Sequence, residues 1–467
     1  MEATIGIGNL SGGILLETRQ PLPKPSDFDR KIGFLHLRKR YVALKKDGFS
    51  VRVGDFPVFF GRGLTINLFR DDNLPHDTEP EGVKLSYTGD YGSFKAFSGN
   101  INKRVAPLSS QDLSYEIDDT KNHIIRGAYL STKPFDHFLQ IKFLEPIDLG
   151  MQYVRFRSLE ELPESTESRE YRRQMLGVDM TYNHDYFDLY TEMVGGEERE
   201  LYIASSGEAL ETIAESDTIQ GLFASFNGYV SDFTLSAEFK DYKGLNFTDS
   251  QQNPYNSAPT AITEHTSRLL GRYLYTLHMD NERGYKVDFS YSPTFVTDFT
   301  LNYTKATDRE NEEDYFWETY LEAKHSFDTV DLSGMINKSE NNRAGEENGE
   351  RLGGWIKATY HFMGLQNITL NAEYLKNDRT DLSENAVTLA YSGSPEWTIM
   401  LNYETSSEVD PYDGNDNWFS AEINYSFSHH FLRLFYGARR WGMNCNGGVC
   451  TIQPAFEGFE LQLISNF

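Results

Sequence analysis

The chain has 467 residues with 44 basic and 70 acidic side chains, a formal net charge of −26, which excludes the Lys/Arg footprint that nucleic-acid phosphates require. High charge with low mean hydropathy would suit a disordered chain, but an aromatic content of 14%, with 32 Phe and 28 Tyr, excludes that class. No apolar run approaches the ~20 residues of a membrane-spanning helix, Phe56-Pro-Val-Phe-Phe60 being among the longest, so a membrane protein of this sequence must cross with strands.

The chain opens Met1-Glu-Ala-Thr with no apolar signal core, and the expectation is a mature sequence whose export signal has been removed. Period-2 alternation begins within the first twenty residues, leaving no room for a separate plug or periplasmic domain, so residues 1–467 read as one unit. At Gly61-Arg-Gly63 an extended stretch is interrupted, with Asp55 before it and Arg70, Asp71 and Asp72 after. Glycine lets the backbone kink or approach another segment closely. One reading folds this bend into a lumen and sets Arg62 and Arg70 opposite Asp71 and Asp72, a transverse field that sorts solutes by charge and size. The other is a β-bulge followed by a solvated charged loop.

Long acidic connections follow at Lys103 to Asn122, Ser158 to Arg172, Gly195 to Asp217 and Lys243 to Thr266, against short turns such as Ser428-His429-His430. Between them the alternation recurs. Phe233, Leu235, Ala237 and Phe239 oppose Thr234, Ser236, Glu238 and Lys240. Tyr285, Val287, Phe289 and Tyr291 oppose Lys286, Asp288 and Ser290. Further on, Ile368, Leu370, Ala372 and Tyr374 alternate with Thr369, Asn371 and Glu373, and Phe419 to Phe427 with Ser420, Glu422, Asn424 and Ser426. Aromatic residues bracket that last stripe. Eight residues at ~3.3 Å, tilted ~40°, span about 20 Å, close to the ~25 Å apolar band of a membrane barrel. A soluble sandwich alternates too, but short turns on one side and long loops on the other are the barrel habit.

Asp410-Pro-Tyr-Asp413-Gly-Asn-Asp416 gathers oxygen ligands around a glycine turn, as Ca²⁺ requires, yet lacks the distal Glu of an EF-hand; a merely solvated loop is the plainer reading. The same holds for Asp71, Asp72, His76 and Asp77. His184-Asp185 and His429-His430 are the suggestive His placements, but no Gly-x-Ser-x-Gly elbow accompanies them, so interfacial His is expected and catalysis is not. Cys445 and Cys450 flank a Gly-Gly turn, and a disulfide is the expected use, implying an oxidising compartment. The chain ends on a strictly alternating strand, with Phe459, Leu461, Leu463, Ser465 and Phe467 on one side.

That aromatic carboxy-terminus resembles the strand signal read by the barrel-assembly machinery of Gram-negative outer membranes. Val53-Gly-Asp-Phe-Pro-Val-Phe-Phe-Gly-Arg-Gly-Leu64 with Glu81-Gly-Val-Lys-Leu-Ser-Tyr87, and Gly447-Gly-Val-Cys450 with Pro454-Ala-Phe-Glu-Gly458, resemble the two ends of an outer-membrane barrel family without assigned function, frequent in Bacteroidetes-type bacteria. The resemblance implies location and architecture and supplies no activity. The expectation is therefore an all-β chain, a single closed antiparallel transmembrane barrel of about 20–22 strands. Its partners would be the lipid bilayer, lipopolysaccharide and the assembly machinery, and it would need no cofactor. Passage of a polar solute past inward positions such as Glu238, Lys240, Asp288, Glu373 and Glu422 is the expected function. The alternative is an occluded surface scaffold whose loops bind partner proteins or polysaccharide.

Overall fold

A computed structural model turns the alternating segments into one large antiparallel sheet. It describes the chain except residues 1, 18–35, 72–75, 102–122, 137–141, 143, 162–166, 205–208, 211–216, 246–255, 257, 264, 266, 273–280, 311–313, 343–348, 363–364, 394–395, 411–413, 429, 447–448, 454 and 466–467. The wall begins with β1 (Glu2–Ile7), β2 (Leu10–Glu17), β3 (His36–Lys46) and β4 (Phe49–Asp55). It continues with β5 (Pro80–Gly89), β6 (Gly92–Ile101), β7 (Ile124–Thr132), β8 (Ile147–Glu161), β9 (Glu167–His184) and β10 (Phe187–Ala204). Next come β11 (Asp217–Val230), β12 (Phe233–Lys243), β13 (Asn281–Thr294), β14 (Thr297–Asp308), β15 (Asp314–Ser326) and β16 (Val330–Asn341). The last seven are β17 (Gly349–Phe362), β18 (Gln366–Asn377), β19 (Leu382–Gly393), β20 (Trp397–Ser406), β21 (Asn417–Phe427), β22 (His430–Arg439) and β23 (Phe456–Ser465).

Each wall strand pairs antiparallel with its sequence neighbour, the topology that short hairpins impose. The Asp47-Gly48 turn shows the local chemistry: φ is 50° and 81°, both positive, the twist-matched geometry of a two-residue hairpin. The sheet has 24 strands, one being the two-residue Ala209–Leu210 beside β10 and the other 23 forming the wall. That exceeds the expected 20–22, because some long-side connections, such as residues 309–313 and 378–381, are barely longer than turns. Among the described residues β1 pairs with β2 alone and β23 with β22 alone, so the expected closure is not formed by hydrogen bonds.

Two expected loops are largely strand. Residues on either side of 162–166, and Gly195 to Ala204, extend β8, β9 and β10 to 15, 18 and 18 residues. Charge pairs hold these polar extensions together: across strands Arg173 meets Glu198 at 2.9 Å and Arg157 meets Glu170, which also takes Arg172 of its own strand. At the hairpin of Gly442–Asn446 with Val449–Gln453, Cys445 lies opposite Cys450 in register; their side chains lie outside the described residues, and the expected disulfide is not shown.

The two faces of the wall invert the arrangement of a water-soluble sheet. On β14, Leu301 is 51% and Tyr303 40% exposed, while Asn302, Thr304 and Ala306 between and beside them are 0% exposed. Apolar side chains face outward along the wall, and polar ones face what the sheet encloses. Near the short turns the outward aromatics stack in ladders, Phe233 on Tyr291 at 4.6 Å, Tyr425 on Phe427 at 5.3 Å and Phe362 on Tyr391 at 6.2 Å, as at an interface between apolar and wet surroundings. In β23 the expected signal residues Phe459, Leu461 and Leu463 share that outward face, and Phe467 lies outside the described residues.

Candidate functional site

What the wall encloses is built first from the connection between β4 and β5. Its apolar residues alternate, Phe56, Val58, Phe60, then Leu64, Ile66 and Leu68, and none lies on a strand of the wall. They turn inward instead, each at most 1% exposed, against Phe97, Ile101, Ile125, Val154, Phe156 and Tyr190 of the inner face. Full burial of such side chains stabilises by about 1.5–3 kcal/mol each, which makes docking favourable for so short a segment. Val58–Phe59 pairs with Asn67–Leu68, and Gly61 (φ 53°) and Gly63 (φ 97°) close the bend between them. A Cβ on Gly61 would stand 2.7 Å from Glu192 Oε2, so only glycine fits there.

Glu192, 0% exposed on β10, receives that bend. It accepts hydrogen bonds from the Arg62 backbone N–H (2.7 Å), Tyr190 Oη (2.8 Å) and Gln152 Nε2 (2.7 Å). Three donors replace the water a buried carboxylate would otherwise need. The base of the segment is ionic. Lys39 lies 2.7 Å from Asp77, 3.4 Å from Asp55 and 3.6 Å from Glu79, and Arg38 is 3.3 Å from Asp77. Burial pushes the Glu79 carboxyl above its usual range, opposed by the charge of Lys39.

A second segment enters from the connection between β12 and β13. Asn256 joins it to the first, accepting from the Asn67 N–H (2.5 Å) and donating to the Gly63 carbonyl (3.0 Å). From there its described residues cross to the far wall: Tyr242 donates to the Pro259 carbonyl (2.8 Å), Asn302 to Thr263 (3.3 Å), and His265 lies 2.6 Å from Glu318. The one-turn α1 (Arg268–Arg272) buries Leu269 and Leu270 against Met335, Leu375 and Ala386. Ser267 and the Leu269 N–H donate to Glu373 (2.8 and 3.0 Å), and Arg272 forks onto Glu404 (2.6 and 3.2 Å). Arg440, beyond β22, completes this end among Glu384, Glu404 and Asp410.

Both segments occupy the same half of the enclosed space. Along β21, Trp418, Ser420 and Glu422 are at most 8% exposed, whereas Asn424 and Ser426, on the same face nearer the short turns, are not buried. Along β14 the same step separates Asn302 from Thr300 and Asp298. The long-loop half of the inner face is covered; the short-turn half is uncovered and polar.

The residues singled out in the sequence distribute as follows. Arg62 is exposed at the bend, its guanidinium carbon 5.1 Å from the Tyr190 ring centroid. Arg70 and Asp71 form a small ladder with His76–Asp77; the Asp71 side chain and all of Asp72 lie outside the described residues. All five inward wall positions face inside, but with different duties. Lys240, 0% exposed, is paired with Glu282 and tethers the Thr260 carbonyl, and Glu373 holds the start of α1. Glu238, Lys286 and Asp288 form a 3.6 Å ladder, and Glu422 meets Arg433 at 2.8 Å. Asp410 is taken by Arg440 (2.7 Å), Asp416 by Asn417 (2.6 Å), and Asp413 lies outside the described residues. Among the described residues no three His, Cys, Asp or Glu side chains converge as metal ligands would. His184 stacks on Phe187 at 5.2 Å and His430 lies tilted against Phe427 at 4.9 Å, while His429 lies outside the described residues. Sequence reading passed over Glu192, Asn256, Arg272, Glu404 and Arg440. The available signal was the apolar alternation of residues 56–68, too interrupted for a wall strand and too apolar for a solvated loop.

A family model described as a family of unknown function (DUF6029) matches residues 4–467. No curated protein is similar to the chain. Among solved structures, it is similar to the copper transporter OprC (11% identity, TM-score 0.45, covering 99% of this chain and 78% of that one). It is also similar to the translocation pore of the P pilus usher PapC (10%, 0.44, 99% and 94%) and to a porin of Rh. blastica (13%, 0.32, 68% and 98%). At these identities and scores the likenesses assign neither an activity nor a cargo.

Proposed function

The chain belongs to this family of unknown function, and on that footing we propose that it is an outer-membrane barrel passing a small polar solute through a constriction made by its two infolded segments. The observation that carries the reading is the step in inner-face burial: one strand runs from covered positions such as Asn302 to uncovered ones such as Thr300 while Phe299, Leu301 and Tyr303 make its outward face apolar across that step. An apolar exterior needs lipid, and a partly covered polar interior is the form of a narrowed pore. Bilayer and lipopolysaccharide surround it in this reading, the assembly machinery inserts it from the β23 end, and its role is not enzymatic. Purified protein in planar bilayers is expected to give stable, voltage-independent single-channel currents, smaller than an unobstructed barrel of this strand number would give. A silent bilayer with folded protein rejects the channel and favours the second reading, an occluded scaffold whose outer loops bind partner proteins or polysaccharide. The interlock of the two segments through Asn256 is the observation on that side.

Closure belongs to the proposal as well. With 23 antiparallel wall strands, β1 and β23 run in the same direction, so direct closure makes a parallel pair, as odd-stranded membrane barrels require. Cysteines at inward positions Thr4 or Gly6 combined with Glu460 or Gln462 are expected to form a disulfide in the inserted protein. One extra strand in the gap would hold the edges about 9–10 Å apart, beyond the ~7 Å reach of a disulfide, and no pair would then link.

A further inference from the structure

We propose that the outward face of β7 to β10, at the long-loop edge of its apolar band, binds the phosphate groups of a multiply phosphorylated acyl glycolipid, the lipid A part of lipopolysaccharide. The site presupposes the outer-membrane placement of the wall proposed above. On β9, Tyr182 stacks on Phe187 near the short turns (5.4 Å), and Gln174 lies eight residues away on the same side of the strand, with Met180, Val178 and Leu176 between. At ~3.3 Å per residue and a tilt of ~40°, that is about 20 Å along the membrane normal, one apolar band. Where the band ends, arginines take over. Arg155 follows Met151 and Tyr153 on the outward face of β8, Arg126 follows Leu130 and Ala128 on that of β7, and both arginines are exposed. One step further from the short turns stand Arg157, Arg172 and Arg199 of β8, β9 and β10, their side chains 50%, 41% and 58% exposed.

Register sets like charges side by side. Arg126 is directly opposite Arg155, and Arg172 lies between Arg157 and Arg199. Neighbouring strands are about 4.8 Å apart, and directly opposed like charges destabilise a sheet. Two carboxylates answer part of this: Glu170 takes Arg157 and Arg172, and Glu197 takes Arg199 at 3.0 Å. Arg126 and Arg155 make no ion pair or hydrogen bond among the described residues, so here five arginines meet two acids in a chain whose net charge is −26. Gln174, opposite Arg155, accepts from Tyr153 Oη (3.2 Å), which leaves its amide N–H groups to donate. Guanidinium forks are the strongest match to phosphate oxygens. Towards the short turns the small side chains Ala96 and Ala128 lie opposite each other between Leu85 and Tyr153, a furrow for an acyl chain in the apolar face. A soluble anion would use the arginines and leave that furrow empty, and a neutral lipid would do the reverse. An amphiphile with phosphates at its head uses both. Long loops mark the outer side of such a barrel, so the leaflet at this edge is the one that holds lipopolysaccharide.

The test is native mass spectrometry of the purified, folded protein released from detergent, offered bis-phosphorylated lipid A, the same lipid after phosphatase treatment, and inorganic pyrophosphate. Lipid A is expected to bind at least about tenfold more tightly than the dephosphorylated lipid, and an excess of about a hundredfold of pyrophosphate is expected not to displace it. Arg126→Gln combined with Arg155→Gln is expected to weaken lipid A about tenfold. Arg283→Gln with Arg309→Gln removes the same charge from arginines that Asp241 already holds, and is expected to change nothing. Should the first double variant fail to fold, Arg155→Gln alone is read against the same control and is expected to weaken lipid A about threefold. Equal binding of the two lipids, displacement by pyrophosphate, or equal weakening by both sets of variants would each overturn the site. Normal single-channel currents with no preference for lipid A would reject the site and keep the channel. A retained preference in protein that is silent in bilayers would keep the site and reject the channel.

Discussion

Leu301→Arg is expected to abolish stable insertion, while Thr300→Arg, one residue away, inserts as the unaltered protein does. Leu301 sits mid-strand on the outward face, 51% exposed, between Phe289 and Leu321 of the adjoining strands. If that face meets hydrocarbon, an arginine there costs about 2–4 kcal/mol at the bilayer midplane. That is a large part of the 5–15 kcal/mol by which a folded protein is usually stable. Thr300 points the other way, toward the uncovered polar half, with Ser290 3.2 Å away and Glu322 in register, so a cation there stays wet and near an acid. Urea-dependent folding into lipid vesicles measures both. If Leu301→Arg folds with unchanged stability, the outward face is not in lipid and the membrane assignment fails with it.

The wall was legible because its rule is local. Alternation at Phe233 to Lys240 or Phe419 to Phe427 needs no partner to be recognised, since period 2 fixes which side chains share a face. The strand total was less legible, because it depends on how many residues each connection consumes, and β8 to β10 run on through polar sequence that reads as loop. What makes Glu170 or Glu198 strand residues is an arginine on the neighbouring strand, and that pairing is not written in the segment itself. The enclosed site was the least legible. Arg62 stood out through its flanking glycines, but the carboxylate receiving that bend is Glu192, 130 residues away. Nothing in Thr-Glu-Met-Val distinguishes Glu192 from the solvated acids of a chain with 70 of them. Alternation puts Lys240 and Glu373 on the face opposite the apolar stripe, yet alternation cannot tell an open lining from a buried anchor. That difference is made by a segment arriving from elsewhere.

Phe60→Ala is expected to enlarge and destabilise the pore current without unfolding the wall. Phe60 is 1% exposed, edge-on to Phe97 at 5.7 Å and stacked on Tyr129 at 5.4 Å. Removing a buried phenyl ring costs about 3–5 kcal/mol, enough to shift the balance between docked and released segment by a factor of about a hundred or more. The strand ladder does not pass through residue 60, so the loss falls on the docking of residues 56–68 rather than on the sheet, as local opening does when a segment is held mainly by its own contacts. Glu192 then loses the Arg62 N–H while keeping Tyr190 and Gln152, so the wall beneath remains satisfied. Larger and noisier single-channel currents, with thermal unfolding of the strands unchanged, are the expected result. A protein whose segment becomes protease-sensitive while its current stays the same would show that residues 56–68 are not where the passage is narrowest, leaving the α1 segment with its Glu373 and Glu404 anchors as the constriction.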